Sequence, residues 1–187
     1  RREEEWYMKR FLFGLTLAAM AAIGFGSMAA FASANKLQTF GTGTVTITSA
    51  DSATIVNTAG QYGGVYINAK NQGNKPLNAV SFSFVSTSDV TGGAPRFSIP
   101  IDTDGIAGTV EGYAFLDAAG CGGVSGGTTI VSTTSDGCHV NFNSQDYVNW
   151  TTFAAANPTY RIAAGAVPFI IADGAAGRYS VSSIDLR

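Results

Sequence analysis

The sequence predicts an all-β domain, an antiparallel β-sandwich with one short helix and one disulfide bridge. Apolar residues alternate with Ser, Thr or Asn in segment after segment, which is typical of strands that bury one face. Clusters of Gly, Asn and Pro separate these segments at the spacing of turns. The only two cysteines, Cys121 and Cys138, form an even pair, as a single bridge requires.

The first 34 residues have the pattern of a bacterial secretory leader. Two basic residues follow Met8, an uncharged apolar run covers residues 11–25, and Ala32-Ser33-Ala34 has the A-x-A form of a cleavage site. We therefore predict a signal peptide over residues 8–34 and a single secreted or cell-surface domain over residues 35–187. A retained membrane anchor is the alternative. Residues 1–7 contain three glutamates and are interpreted as a mistranslated leader, with Met8 as the true start.

The charge of the predicted mature domain argues against two classes of partner. Removal of the leader takes away four of the 11 basic residues and three of the 13 acids, which leaves a formal charge of −3. The sequence has no basic patch that could follow phosphates, so we expect no nucleic-acid binding. It also has no polybasic segment for anionic lipid, so we expect no membrane contact after cleavage.

Period-two alternation marks the strands in the first two thirds of the domain. Turn-forming clusters at residues 71–76, 91–95 and 118–120 separate several of them. We expect the apolar member of each alternation to face the core. These residues are Val45 and Ile47; Val65 and Ile67; Val80, Phe82 and Phe84; Phe97, Ile99 and Ile101; and Tyr113 and Phe115.

A short helix interrupts this pattern after residue 149. Asn149 is a favourable N-cap, the three alanines at 154–156 are strong helix formers, and Pro158 prevents continuation. Trp150 and Phe153 are three residues apart and share one helical face. We predict that this helix closes one end of the sandwich.

Strands resume at residues 167–172 and 179–186. In the last of these, Tyr179 and Val181 lie on one face while Ile184 and Leu186 lie on the other. A β-bulge near Ser182-Ser183 would return all four residues to the core.

The cysteine pair is interpreted as a disulfide because the predicted compartment is oxidising. The bridge would close a loop of about 17 residues and stabilise the fold by about 3 kcal/mol. A metal site formed by these cysteines is disfavoured because His139 is the only histidine.

Asp102, Asp104 and Glu111 are the candidate metal ligands. Gly105 allows a tight turn between them, and calcium prefers carboxylate and carbonyl oxygens on a chain that wraps around it. The alternative is an ordinary solvated hairpin turn, because Asp and Gly are common turn residues. Together with Asp117, the same acids are numerous enough for the carboxyl pair of a glycosidase.

The candidate ligand-binding residues are Tyr66, Tyr113, Trp150 and Arg96. An aromatic ring offers an apolar face to the C–H groups of a sugar, and nearby polar groups fix its orientation. The alternative for the rings is core or rim packing. Arg96 falls opposite the apolar positions of its strand, so we expect it to point outward and to bind a carboxylate or pair with a nearby acid.

Three segments resemble jelly-roll β-sandwiches of the galactose-binding or carbohydrate-binding-module type. They are residues 77–84 leading into 92–97, residues 113–117, and the terminal strand at 179–186. The resemblance implies a jelly-roll-like sandwich, a structural calcium ion and sugar binding on a concave face or at loop tips.

The first functional prediction is therefore a secreted, non-catalytic module that binds a carbohydrate or another cell-surface polymer. The second is a structural surface protein whose Thr-rich strands self-associate edge to edge. A glycoside-acting enzyme is the third. The sequence contains no G-x-S-x-G elbow, the motif that would indicate a hydrolase.

Overall fold

The computed structural model describes residues 37–68, 72–106, 108–173 and 175–187. The predicted mistranslated leader (1–7) and signal peptide (8–34) lie outside the described residues. Within these ranges, no helix has the length and apolarity that a bilayer crossing requires.

The larger of two antiparallel sheets has eight strands among the described residues. β11 (Arg161–Ile162) pairs with one end of β6 (Arg96–Asp102), beside the main path of the sheet. The main path runs through β1 (Leu37–Gly41), β4 (Gly63–Ile67), β12 (Phe169–Ala172), β6 (Arg96–Asp102), β7 (Gly112–Asp117), β9 (Val140–Phe142) and β10 (Gln145–Tyr147).

The smaller sheet has five described strands and completes the sandwich. Its order is β2 (Thr44–Ser49), β3 (Ser52–Asn57), β13 (Gly177–Leu186), β5 (Phe82–Ser86) and β8 (Thr129–Ser132). β12 lies between β4 and β6, and β13 lies between β3 and β5. The orders β4-β12-β6-β7 and β3-β13-β5-β8 are those of a jelly roll, to which the remaining strands are added.

The core lies between the two sheets, and alternation predicts most of it. Phe97 from the larger sheet contacts Phe82 and Phe84 from the smaller one, with ring centroids 6.0 and 5.1 Å apart. Val65, Ile67, Val80, Ile99 and Ile101 are buried as expected. Ile47 is an exception with 40% of its surface exposed, because β2 is at the edge of its sheet.

The expected inward face of β7 is wrong. Ala114 and Leu116 are fully buried in the core, whereas Tyr113 and Phe115 are only half-buried on the opposite side. Apolar residues occupy both faces of this strand, so periodicity gave no means of choosing between them. The pairing register with β6 determines which face of β7 points inward, because Leu116 lies opposite Phe97 and therefore points to the same side.

The predicted helix, α1 (Trp150–Ala156), has the expected cap. Asn149 Oδ1 accepts a hydrogen bond from the backbone N–H of Thr152 at 2.8 Å. Trp150 and Phe153 are both buried, and the helix packs near a single 3₁₀ turn at Leu77–Ala79. It covers one end of the core, as the sequence predicts.

The bulge and the disulfide are both present. The pairing of β13 with β5 shifts register between Ser182 and Asp185, and Tyr179, Val181 and Ile184 are all buried. Cys121 and Cys138 are bonded and join the β7–β8 connection to the β8–β9 connection. Both connections cross between the sheets, so the bridge fixes the position of β8. A disulfide is compatible with a secreted protein.

Candidate functional site: an aromatic outer face

Three of the four predicted ligand-binding residues lie on one surface, the solvent side of the larger sheet. Residues directly opposite each other in an antiparallel pair point to the same face. Tyr66 lies opposite Phe169, Phe169 lies opposite Ser98, and Tyr113 lies opposite Pro100 on the same strand, β6. Arg96 also belongs to this outward set, since it is two residues before Ser98 on β6.

Four half-buried rings form a continuous layer on this side: Phe40, Tyr66, Phe169 and Tyr113. We call this layer the aromatic face. Phe40 lies 4.4 Å from Tyr66 and 5.5 Å from Phe169 between ring centroids, and Phe169 lies 5.3 Å from Tyr113. The rings come from β1, β4, β12 and β7. Phe40 and Tyr113 both contact Phe169, so their ring centroids are no more than about 11 Å apart. The four rings are additional to the core, which is complete on the other side of the sheet.

Gly64 makes room for the ring at the edge of this layer. It lies opposite Phe40 in the β1–β4 pairing and points to the same side. A Cβ atom at Gly64 would lie 2.5 Å from Phe40 Cζ and would also meet the carbonyl oxygen of Ile170. Glycine within a strand often marks such a close approach, here of a ring to the strand backbone.

Gly64→Ala is expected to displace Phe40 and to destabilise the fold by about 1–3 kcal/mol, the usual effect of overpacking. Chemical denaturation monitored by fluorescence would measure the change. Gly137→Ala is the matched control, because the nearest atom to its added Cβ would be Ser135 Oγ at 3.9 Å. Equal stability of the two variants would contradict the close packing of Phe40 on β4.

Both tyrosines of the aromatic face keep their hydroxyl protons well into the alkaline range. Burial raises the pKa of Tyr66, and the neighbouring Tyr62 raises that pKa further. Burial also raises the pKa of Tyr113, with a smaller contribution from Tyr66. At neutral pH each phenol is therefore uncharged and able to donate a hydrogen bond as well as accept one.

A charged pair adjoins the rings at one end of β6. Arg96 Nη2 donates to Asp173 Oδ2 at 2.7 Å, and the guanidinium lies over the ring of Phe115 at 4.8 Å from its centroid. We call these three residues the Arg96 cluster. Arg96 Nε and Asp173 Oδ1 are buried without a hydrogen-bond partner among the described residues, as is the hydroxyl of Ser98. Unsatisfied polar atoms are uncommon at such depth in folded proteins.

Trp150 is separate from this surface, which corrects its prediction as a ligand contact. Only 3% of it is exposed. Its indole N–H donates to the carbonyl oxygen of Leu77 at 2.8 Å, and its ring packs on Phe82 and Phe153. The core-packing alternative applies to this residue.

Asp102, Asp104 and Glu111 do come together, in the loop between β6 and β7. One carboxylate oxygen from each lies within 4.8 Å of the others. The loop already uses these groups internally: Asp102 accepts hydrogen bonds from the backbone N–H groups of Asp104 and Gly105, and Glu111 accepts one from Thr103. The geometry fits a turn held by side-chain acceptors, and calcium binding remains a prediction.

Asp117 does not form a carboxyl pair with Asp102, so the glycosidase alternative is limited to Asp102, Asp104 and Glu111. Asp117 lies opposite Arg96 at the other end of the β6–β7 pairing. It is therefore about 20 Å from Asp102 at the usual rise per residue. Paired catalytic carboxyl groups lie roughly 5–10 Å apart across the substrate.

Phe40, Phe169 and Asp173 belong to the site but were not predicted from the sequence. A usable signal was present for Phe169, because the run Phe169-Ile170-Ile171-Ala172 is apolar on both faces of its strand. Such a run indicates a strand that is covered on both sides. For Phe40, the inward position of Leu37 three residues earlier implies an outward ring.

The fold and this surface together define a class, a jelly-roll β-sandwich with an aromatic outer face. Comparisons with protein-family models, with curated proteins and with solved structures give no match for this chain.

Proposed function

We propose that this protein is a secreted, non-catalytic module that binds a carbohydrate polymer through its aromatic face. One observation carries the proposal: four rings from four strands make a contiguous layer outside the core. Aromatic rings provide apolar contact for the C–H faces of sugar rings, and apolar patches outside a core commonly mark binding sites.

Polar groups next to the rings support a sugar more than a purely apolar ligand. The hydroxyls of Tyr66 and Tyr113 belong to the layer itself, and Arg96 with Asp173 lies beside it. A few convergent polar groups on an apolar surface are the usual composition of a specific ligand site. The layer offers four contiguous rings rather than one, which favours a ligand with several sugar units over a single sugar.

Removal of a single tyrosine ring is expected to weaken retention on polysaccharide. Tyr66→Ala and Tyr113→Ala should each weaken binding by about tenfold, equivalent to about 1.4 kcal/mol, because central aromatic contacts commonly dominate binding. The measurement is retention of residues 35–187 on a panel of insoluble polysaccharides and peptidoglycan. Tyr66→Phe and Tyr113→Phe separate the contribution of the ring from that of the hydroxyl.

Ile130→Ala is the matched control for this experiment, because Ile130 is 62% exposed on the outer side of the smaller sheet. It should bind like the wild type. Failure of the wild-type domain to bind any polymer would overturn the proposal, as would undiminished binding by the folded Tyr66→Ala and Tyr113→Ala variants.

Self-association into a structural surface layer is the second candidate, favoured by β2. This strand forms one edge of the described smaller sheet, and all its residues except Val45 are exposed. None of them is charged or proline, the residues that usually prevent edge-to-edge pairing. Concentration-dependent assembly in sedimentation experiments, lost in Thr46→Lys, would support this candidate. A monomer at every concentration would exclude it.

A structural calcium ion at Asp102, Asp104 and Glu111 is retained as a prediction of the sequence. Bound calcium would raise the Tm above its value in chelator, because a ligand of the native state stabilises that state by mass action. Asp104→Asn should remove the calcium-dependent rise, while its amide oxygen can still accept the hydrogen bond from the backbone N–H of Ile106. Equal Tm values in calcium and in chelator would leave these acids as turn-forming residues only.

A further inference from the structure

We infer that the aromatic face takes a neutral glycan and discriminates against acidic ones. This inference rests on the proposed function and specifies the chemical class of its ligand.

Most of the charged groups on this side of the sheet are acidic. Outward strand positions of the larger sheet hold two cations, Arg96 and Arg161, and three carboxylates, Asp102, Asp117 and Asp146. Asp173, just after β12, adds a fourth carboxylate. Asp102 is buried, so the solvent-accessible groups of this surface have a formal excess of one negative charge, which would repel the carboxylates or sulfates of an acidic glycan.

Neither cation is free of a nearby carboxylate. Arg96 is bound to Asp173 at 2.7 Å and also lies opposite Asp117 in the β6–β7 register. Arg161 lies opposite Asp102 in the β11–β6 register. Recognition of an acidic sugar usually requires a cation that can offer its donors to the ligand's carboxylate. The charge of Arg96 is instead offset by the carboxylate of Asp173, and its guanidinium group lies over the ring of Phe115.

The buried atoms of the Arg96 cluster also disfavour an acidic ligand. Arg96 Nε is buried, so this donor is not exposed to a ligand carboxylate. A ligand carboxylate can only accept, and it would face the aspartates directly.

The test is affinity electrophoresis of the folded domain through gels that contain one soluble polysaccharide each. Hydroxyethyl cellulose, galactomannan and xyloglucan are the neutral probes, and polygalacturonate and hyaluronate are the acidic ones. We expect retardation by at least one neutral polymer and none by the acidic polymers. Stronger retardation of the wild type by an acidic polymer would overturn the inference but leave the proposed function intact. No retardation by any polymer would overturn both.

Two charge variants examine the cause of the discrimination. Asp173→Asn releases Arg96 from its ion pair, and Asp117→Asn removes the carboxylate opposite Arg96, so that either variant should gain retardation by polygalacturonate. The gain should disappear when Arg96→Gln is added. Asp136→Asn, an exposed acid in the β8–β9 connection, is the matched control and should gain nothing. If Asp173→Asn does not fold, the retardation of Asp117→Asn by polygalacturonate tests the inference alone. Folded variants that still ignore polygalacturonate would overturn the electrostatic basis of the inference.

Discussion

Trp150→Ala is expected to lower the free energy of unfolding by about 3–5 kcal/mol, the usual cost of removing a large buried ring. Trp150 is 3% exposed and connects the helix to the core through its ring contact with Phe82, at 6.4 Å between centroids. It also packs on Phe153 of the same helix, at 5.3 Å. Its removal leaves a cavity and also leaves the carbonyl oxygen of Leu77 without its donor. Urea denaturation followed by circular dichroism measures the loss.

Two further variants separate the contributions to this effect. Trp150→Phe keeps most of the packing but lacks the N–H donor, so it should cost about 1–3 kcal/mol. Val148→Ala, two residues away at a position that is 63% exposed, should change stability by no more than about 0.5 kcal/mol. A stable Trp150→Ala variant with impaired polysaccharide binding would contradict the core position of this residue and restore it as a ligand contact.

Removal of the disulfide in the double variant Cys121→Ser, Cys138→Ser is expected to destabilise the fold by about 3 kcal/mol. The sequence separation is 17 residues, and a bridge of this length restricts the unfolded chain by about that amount in the chain-entropy description. The native structure gives a second reason. The bridge joins the connections before and after β8, which link this strand of the smaller sheet to β7 and β9 of the larger sheet. Chemical denaturation of the wild type and of the double variant measures the difference.

Reductant provides the internal control for this prediction. It should destabilise the wild type by a similar amount and should have no effect on the double variant, which has no other cysteine. If the bridge holds the connections before and after β8 in place, reduction should raise the rate of amide hydrogen exchange most in β8 and in these connections. Unchanged stability of the wild type under full reduction would contradict a structural role for the bridge.

Local rules determined much of the fold from the sequence. Period-two alternation predicted the buried residues of β4, β5 and β6, because side chains on a strand alternate between its two faces. Asn149 and Pro158 predicted the start and end of the helix, because capping and the missing proline N–H are local effects. The change of face within residues 179–186 predicted the bulge in β13, since only an extra residue can return all apolar side chains to one side.

Alternation separates two faces of a strand without saying which of them meets the core. Tyr113 and Phe115 illustrate this, because Ala114 and Leu116 on the same strand are also apolar and it is these that are buried. The choice depends on the pairing of β7 with β6, a contact between elements. Trp150 shows the same limit: its apolar ring and polar N–H suit a ligand site or a core equally well, and only the neighbouring Leu77 carbonyl settles the question.

The candidate site itself was decided by tertiary structure. The sequence identified Tyr66, Tyr113 and Arg96 as separate candidates, but the layer exists because the jelly-roll order places β1, β4, β12, β6 and β7 side by side. Phe40 and Phe169 are far apart along the chain and contact each other only through the long-range pairing of β1, β4 and β12. Composition and periodicity describe each strand by itself, whereas strand order and register, which no local pattern contains, determine which side chains share a surface.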